Sequence, residues 1–291
     1  MTTYIEAIII GLLTGGVYAL MASGLSLIFG VMDIINIAQG ALVVLGAYLS
    51  YGLQQHFHID LFLGLLLTMP LMFVFGVLIE FFFIRPLKRE RTMFSILVTY
   101  AIALIIEGVL ALIFTNTYVK LNAWYVTASF PLFGFYLSYI NVFAFVLSAV
   151  LLAGLYVLLY RTEFGKSLRA SMQNRTAAEL IGINVERVSA ITFGIGVALT
   201  AAGGMAFGTI TSFNPGSSYD LISRLLVIIV LGGMGSLRGA LVGSLALLVV
   251  EDVTTVASSA QWSSTVFFIL LVILLVFRPQ GIFGQREGRK Q

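Results

Sequence analysis

Apolar residues run along this chain in long blocks separated by short polar or glycine-rich connections. The blocks cover residues 5–30, 34–53, 60–84, 94–114, 137–160, 188–211, 221–233, 240–256 and 263–277. Roughly 20 apolar residues at a rise of 1.5 Å each cross a hydrocarbon core of about 30 Å, so the pattern predicts an all-α, polytopic transmembrane helical bundle of about eight or nine spans. The seventh and eighth blocks are short and flank Gly232-Gly233-Met234-Gly235-Ser236-Leu237-Arg238-Gly239. That turn joins either two complete spans or the two arms of a re-entrant pair buried in protein.

The one sizeable polar interruption is Arg161 to Arg187, RTEFGKSLRASMQNRTAAELIGINVER. Leu168, Met172, Ala177, Leu180 and Ile181 recur there at helical spacing with charges between them, which predicts an amphipathic helix closed by Gly182. Such a helix either lies on the inner leaflet or docks a cytoplasmic partner protein.

Composition narrows the class. Only 10% of the 291 residues are charged and 59% are apolar, against about 25% charged in a soluble domain, so the chain reads as one membrane domain over 1–291. Without cysteine it has no disulfide framework, thiolate nucleophile or Cys-ligated metal. The first block has Glu6 and no basic residue before it, unlike a cleaved signal peptide, and reads as a retained span.

Basic residues cluster at Arg85/Lys88/Arg89/Arg91, at Arg161/Lys166/Arg169/Arg175/Arg187 and at Arg278/Arg286/Arg289/Lys290. The positive-inside rule places all three clusters, and the C-terminus, in the cytoplasm, and this topology accounts for them without nucleic acid. The connections near 54–59, 115–136, 212–220 and 257–262 hold only Lys120 among them and read as external. Nine crossings then put the N-terminus outside.

No catalytic or metal site emerges. Gly165-Lys166-Ser167 lacks the earlier glycine of a phosphate-binding loop, since Tyr160 stands there, and no HExxH or GxSxG string occurs. Ionisable residues within apolar runs are costly and usually functional. Glu80 and Asp33 fall near the cytoplasmic ends of their spans, where exposure or a partner such as Arg85 satisfies them; Glu107 lies deeper. Glu251 and Asp252 sit toward the outer end of a span, lining a vestibule or reaching the interface. The absence of a carboxylate–histidine series argues against a self-powered carrier. Asn36 and Gln39 in Asp33–Gly40 need hydrogen-bond partners, supplied either by a tight helical hairpin or by a broken helix facing a translocation path. Glycines four apart at Gly11/Gly15, Gly204/Gly208 and Gly235/Gly239/Gly243 predict close helix packing.

Five stretches carry a family resemblance: GLSLIFGVMDIINIAQGALVVLGAY (Gly24–Tyr48), IEFFFIRPLKRE (Ile79–Glu90), FGKSLRASMQNRTAAELIGINVERV (Phe164–Val188), VLGGMGSLRGALVGS (Val230–Ser244) and FRPQGIFG (Phe277–Gly284). In this order they resemble the branched-chain amino acid ABC importer permeases, and the shorter H-type rather than the longer M-type. The resemblance implies a bacterial inner-membrane permease that binds no cofactor. It also implies pairing with an M-type relative, two cytoplasmic ATPases that hydrolyse the ATP, and a periplasmic binding protein that delivers an amino acid. It makes 161–187 the ATPase-coupling loop, with Gly165, Arg169, Ala177, Ala178, Glu179 and Gly182 as its candidate contacts. Candidates for the translocation path are Asn36, Gln39, Glu107 and Glu251. Asp33 and Gln39 depart from the basic or small residue and the histidine that family members often carry, which leaves other amino acids, amides and urea open as substrates.

Overall fold

A computed structural model describes residues 2–87, 90–132, 135–258, 260–278 and 281–283. Lys88, Arg89, Arg286, Arg289 and Lys290 of the basic clusters lie outside the described residues, as do Pro279, Gln280 and Gly284 of the last matching stretch.

Each of the nine apolar blocks becomes a helix: α1 (Thr2–Met32), α2 (Gln39–Phe57), α3 (Leu61–Ile79), α4 (Arg91–Phe114), α6 (Tyr139–Arg161), α9 (Val185–Ile210), α10 (Ser217–Gly232), α11 (Leu237–Ala257) and α12 (Ala260–Phe277). Helix α3 runs on through a π-helical turn at Glu80–Ile84. Three short helices complete the set: α5 (Trp124–Thr127), α7 (Glu163–Gln173) and α8 (Arg175–Leu180). Among the described residues, six helices are long and apolar enough to cross a membrane; these are α1, α3 with its π turn, α4, α6, α9 and α11. The chain is therefore a multi-pass helical membrane protein. One departure from all-helical structure is the antiparallel hairpin β1 (Ser129–Leu132) and β2 (Phe135–Ser138), in which Ser129 faces Ser138.

Helix α9 is the axis of the bundle, with 78% of its apolar window buried, against 22% for α6 and 28% for α4 at the periphery. Small residues let its neighbours approach. A Cβ added at Gly46 would stand 2.7 Å from the Ala201 Cα, and one at Gly24 2.6 Å from the Gly196 carbonyl oxygen. The expected Gly11/Gly15 face serves the same purpose between α1 and α11: their Cβ positions lie 2.7 Å from the Val249 Cα and 3.0 Å from the Leu245 Cα. In lipid, where apolar contact between helices gains nothing over contact with acyl chains, such backbone approach is what holds helices together.

The bundle has two chemically different ends. At one, the 115–138 connection folds down on the helices. Val119 and Phe213 exchange backbone hydrogen bonds at 2.9 Å, and the Leu121 N–H donates to the Gly208 carbonyl. The Tyr125 hydroxyl donates to Asp60, whose other oxygen caps α3 by accepting from the Phe62 N–H. Burial, then that hydrogen bond, holds the Tyr125 hydroxyl above its ordinary value. At the other end lie α7, α8 and most of the described cations; there Arg85 pairs with Glu186 at the start of α9. Of the two ways expected to satisfy Asp33 and Glu80, exposure holds for Asp33, whereas Glu80 is buried, forms no salt bridge with Arg85 and keeps one oxygen without a hydrogen bond.

Candidate functional site

The segment 33–38 decides how the interior is built. Asp33 adopts φ +54°, ending α1, and the chain turns back into the bundle without helical structure until Gln39. Thr99 of α4 fixes this return: its hydroxyl accepts from the Ile37 N–H at 3.1 Å and reaches the Ile35 carbonyl at 3.4 Å. Asn36 and Gln39 are fully buried, the Asn36 amide donates to the Gln39 side-chain oxygen at 3.1 Å, and Gln39 in turn reaches the Met21 carbonyl at 3.4 Å. Met21 lies eleven residues inside the end of α1, so the Gln39 side chain at the start of α2 reaches a level about 16 Å inside that end by helical rise. The polar pair thus lies at a non-helical connection between α1 and α2 that re-enters the bundle.

A second helix also starts inside. After the Phe213 bridge the chain dips to Ser217, where α10 begins; the turn leading into it is held by the Ser217 hydroxyl, which accepts from the Asn214 N–H and donates to the Asn214 side-chain oxygen. A Cβ at Gly40 would lie 2.2 Å from the Ser218 carbonyl oxygen and 2.9 Å from the Ile222 nitrogen. The first turns of α2 and α10 are therefore in contact in the protein interior, where each brings the positive end of its dipole. Glu107 of α4, half-buried, accepts from the Ser218 hydroxyl at 3.3 Å, so three of the elements around this junction bear on it. The expected re-entrant or complete seventh span is an interior-starting helix, and its partner α11 is a full-length one.

Glu251 has a partner that the sequence did not disclose. The Arg224 guanidinium of α10 donates to both of its oxygens, at 2.6 and 2.7 Å, and also to Asp220 at 2.9 Å. Arg224 and Glu251 side chains are 16% and 10% exposed, whereas Asp220 is 64% exposed. Phe267 of α12 lies 5.7 Å from the guanidinium carbon. This pair ties α10 to α11 in the apolar interior. Asp252 beside it is half-buried, with one oxygen lacking a hydrogen bond. An arginine alone in the seventh apolar block was the available signal.

At the basic end, the expected single amphipathic helix is two helices. Asn174 is extended (φ −156°), and its side chain accepts from the Ala177 N–H, restarting the chain as α8. The restart swings Leu180 and Ile181 outward, 84% and 75% exposed, instead of onto the apolar face that Leu168 buries. Gly182 closes α8 as expected: at φ +89° its N–H bonds to the Glu179 carbonyl and the Ile183 N–H to the Ala178 carbonyl. That is a Schellman cap, which glycine forms without strain.

The six candidate residues of this element divide by this geometry. Gly165 is pressed against α6, its Cβ position 2.2 Å from the Leu159 carbonyl oxygen. Arg169 donates to that same carbonyl and covers the Tyr160 ring at 5.1 Å. Ala178 is 2% exposed. These three anchor the element to the bundle. Ala177, Glu179 and Gly182 face outward with Leu180 and Ile181, and Glu179 pairs with Arg175 at 3.3 Å. Between α7, the end of α1 and the α10–α11 turn lies an open cleft of about 1380 Å³, bordered by Arg169, Arg175, Arg238 and Asp33.

Long apolar helices packed through glycine, two helices that begin in the interior, and carboxylates held at depth define a membrane transport protein. The comparisons refine this. Residues 7–275 match the family model described as branched-chain amino acid transport system / permease component, and the chain belongs to that family. It is 29% identical to the high-affinity branched-chain amino acid transport system permease protein BraD of Pseudomonas aeruginosa, covering 99% of this chain and 98% of the relative. It is 32% identical to a probable branched-chain amino acid transport permease protein LivH of Methanocaldococcus jannaschii, over 81% of this chain and 76% of the relative. The high-affinity LivH of Escherichia coli is 25% identical over 99% and 97%. No solved structure matches the chain.

Proposed function

We propose that this chain is the membrane-spanning permease subunit of an ATP-driven importer of branched-chain amino acids. A second, M-type permease completes its translocation path, two ABC ATPases bind its basic end, and a binding protein delivers substrate at the other. The observation that carries the coupling role is α8, a capped helix anchored through Gly165, Arg169 and Ala178 that presents Leu180 and Ile181 to solvent beside Glu179. Two large exposed apolar side chains with a charged neighbour form a small docking knob of the kind a partner cleft buries. ATP hydrolysis belongs to those partners.

Family membership and the chemistry of the two ends support the same orientation. The basic end faces the cytoplasm, as the positive-inside rule requires, and the C-terminus lies there. With α2 and α10 counted as partial crossings that start inside the protein, eight or nine elements traverse the bilayer. The path runs by Asn36, Gln39 and Glu107, where the two half-helices meet.

Charge reversal at the knob is the test. Glu179→Arg is expected to abolish ATP-driven uptake in the reconstituted complex while expression, membrane insertion and pairing with the second permease persist. Uptake at the original rate would remove α8 from the coupling mechanism.

A further inference from the structure

Glu107 is the only charged residue of α4 beyond Arg91, and it stands in an otherwise apolar run. An ionised carboxylate at membrane depth is unfavourable unless it is hydrogen-bonded and paired. The Ser218 hydroxyl donates to it at 3.3 Å, the Tyr219 hydroxyl lies beside it in the same first turn of α10, and the positive end of that helix adds to the field around it. Among the described residues no cation comes within salt-bridge distance. A carboxylate offers about four acceptor positions, so two hydroxyls leave it with spare capacity and an uncompensated charge.

The surface beside it is open. Gly108 follows it, and nothing lies within 4 Å of where a Cβ would stand; Ile105 and Leu112 are 62% and 86% exposed. A mid-helix glycine costs about 1 kcal/mol relative to alanine. Gly11, Gly24 and Gly46 offset that cost by admitting a neighbouring backbone, and Gly108 has no such neighbour among the described residues. The open space at Gly108, which Gly52 and Gly154 share, and the free side of Glu107 leave room for a small cationic group from outside the chain.

We infer that Glu107, positioned by the Ser218 and Tyr219 hydroxyls, is the subsite that receives the ammonium group of the amino acid on its way through the permease. The inference rests on the importer reading above and assigns it a recognition step. A primary ammonium supplies the missing charge and up to three N–H donors to the vacant lone pairs. Gly108 leaves room for the substrate's α-carbon and side chain against α4. Ser218 and Tyr219 are positioning residues: they orient the carboxylate rather than contact the substrate.

The test compares wild type, Glu107→Gln, Glu107→Asp and Tyr219→Phe in the reconstituted complex of both permeases, both ATPases and the binding protein, with labelled leucine. Loss of a charge-assisted hydrogen bond predicts a fall in uptake of about 10- to 100-fold for Glu107→Gln. ATP hydrolysis stimulated by the loaded binding protein is expected to continue, and Glu107→Asp is expected to restore most of the uptake. Tyr219→Phe falls between. Full uptake by Glu107→Gln would overturn the subsite. So would loss of the partner permease from the purified complex of that variant, which would make Glu107 an intersubunit ion-pair residue. Absence of ATP-dependent uptake by the wild-type complex would instead overturn the importer reading.

Discussion

Removing Arg224 separates two accounts of how α10 is held. With Arg224 and Glu251 side chains 16% and 10% exposed and their charged atoms 2.6 Å apart, each charge depends on the other for its solvation. Two unit charges at about 4 Å attract by roughly 4 kcal/mol at an effective dielectric of 20, and withdrawing them from water costs a similar amount. The pair as a whole is therefore close to neutral. Breaking it is not neutral, since one charge is stranded in an apolar interior at a cost of about 3–5 kcal/mol. Arg224→Met and Glu251→Met are each expected to destabilise by that amount, whereas the double substitution is expected to be neutral or stabilising by about 1–4 kcal/mol. Asp220 is 64% exposed, and Asp220→Asn is expected to cost no more than about 1 kcal/mol. Unfolding of the purified chain in mixed micelles of rising dodecyl sulfate content, followed by circular dichroism, measures all four variants. A coupling energy in the double-mutant cycle below about 0.5 kcal/mol, within the range seen for independent sites, would refute the clamp between α10 and α11.

Two further outcomes follow from the packing and the outer end. Gly15→Leu drives a side chain into the Leu245 Cα, 3.0 Å from its Cβ position. It is expected to cost about 1–3 kcal/mol and shift the same unfolding midpoint, with Gly52→Ala, which meets nothing within 4 Å, as the silent control. Because burial and Asp60 raise the Tyr125 hydroxyl above the ordinary tyrosine value of about 10, the stability it contributes is complete below about pH 10 and is lost as pH rises toward the folded-state value. Tyr125→Phe is expected to flatten that alkaline loss in a pH series of unfolding midpoints; an unchanged slope would show that Tyr125 does not carry it.

The nine helices were legible because a run of about twenty apolar residues has few other uses. Their depth was not. Asp33, Asn36 and Gln39 marked an interruption, but Ile34, Ile35 and Ile37 between them are as apolar as any helix interior, so the depth at which α2 starts was not written locally; it is set by Asp33 at φ +54° and by the Thr99 hydroxyl, 62 residues away from Ile37. The outward turn of Leu180 and Ile181 was hidden for a related reason. Apolar spacing continues across Asn174 as if one helix ran through, although an asparagine three residues before Ala177 is an N-cap signal that the spacing alone overlooks. Gly11 and Gly15 were read correctly as a packing face, while their partner α11 required the fold. Glu107 and Glu251 were visible as charges in apolar runs; that one has its own arginine and the other only hydroxyls is a fact of three dimensions.

Importer function is tested most directly by labelled leucine uptake into proteoliposomes containing this chain with its partner permease and ATPases. Uptake should require both ATP and the binding protein, and should stop when either is withheld. Leucine uptake by this chain alone, without ATPase subunits, would contradict the central claim.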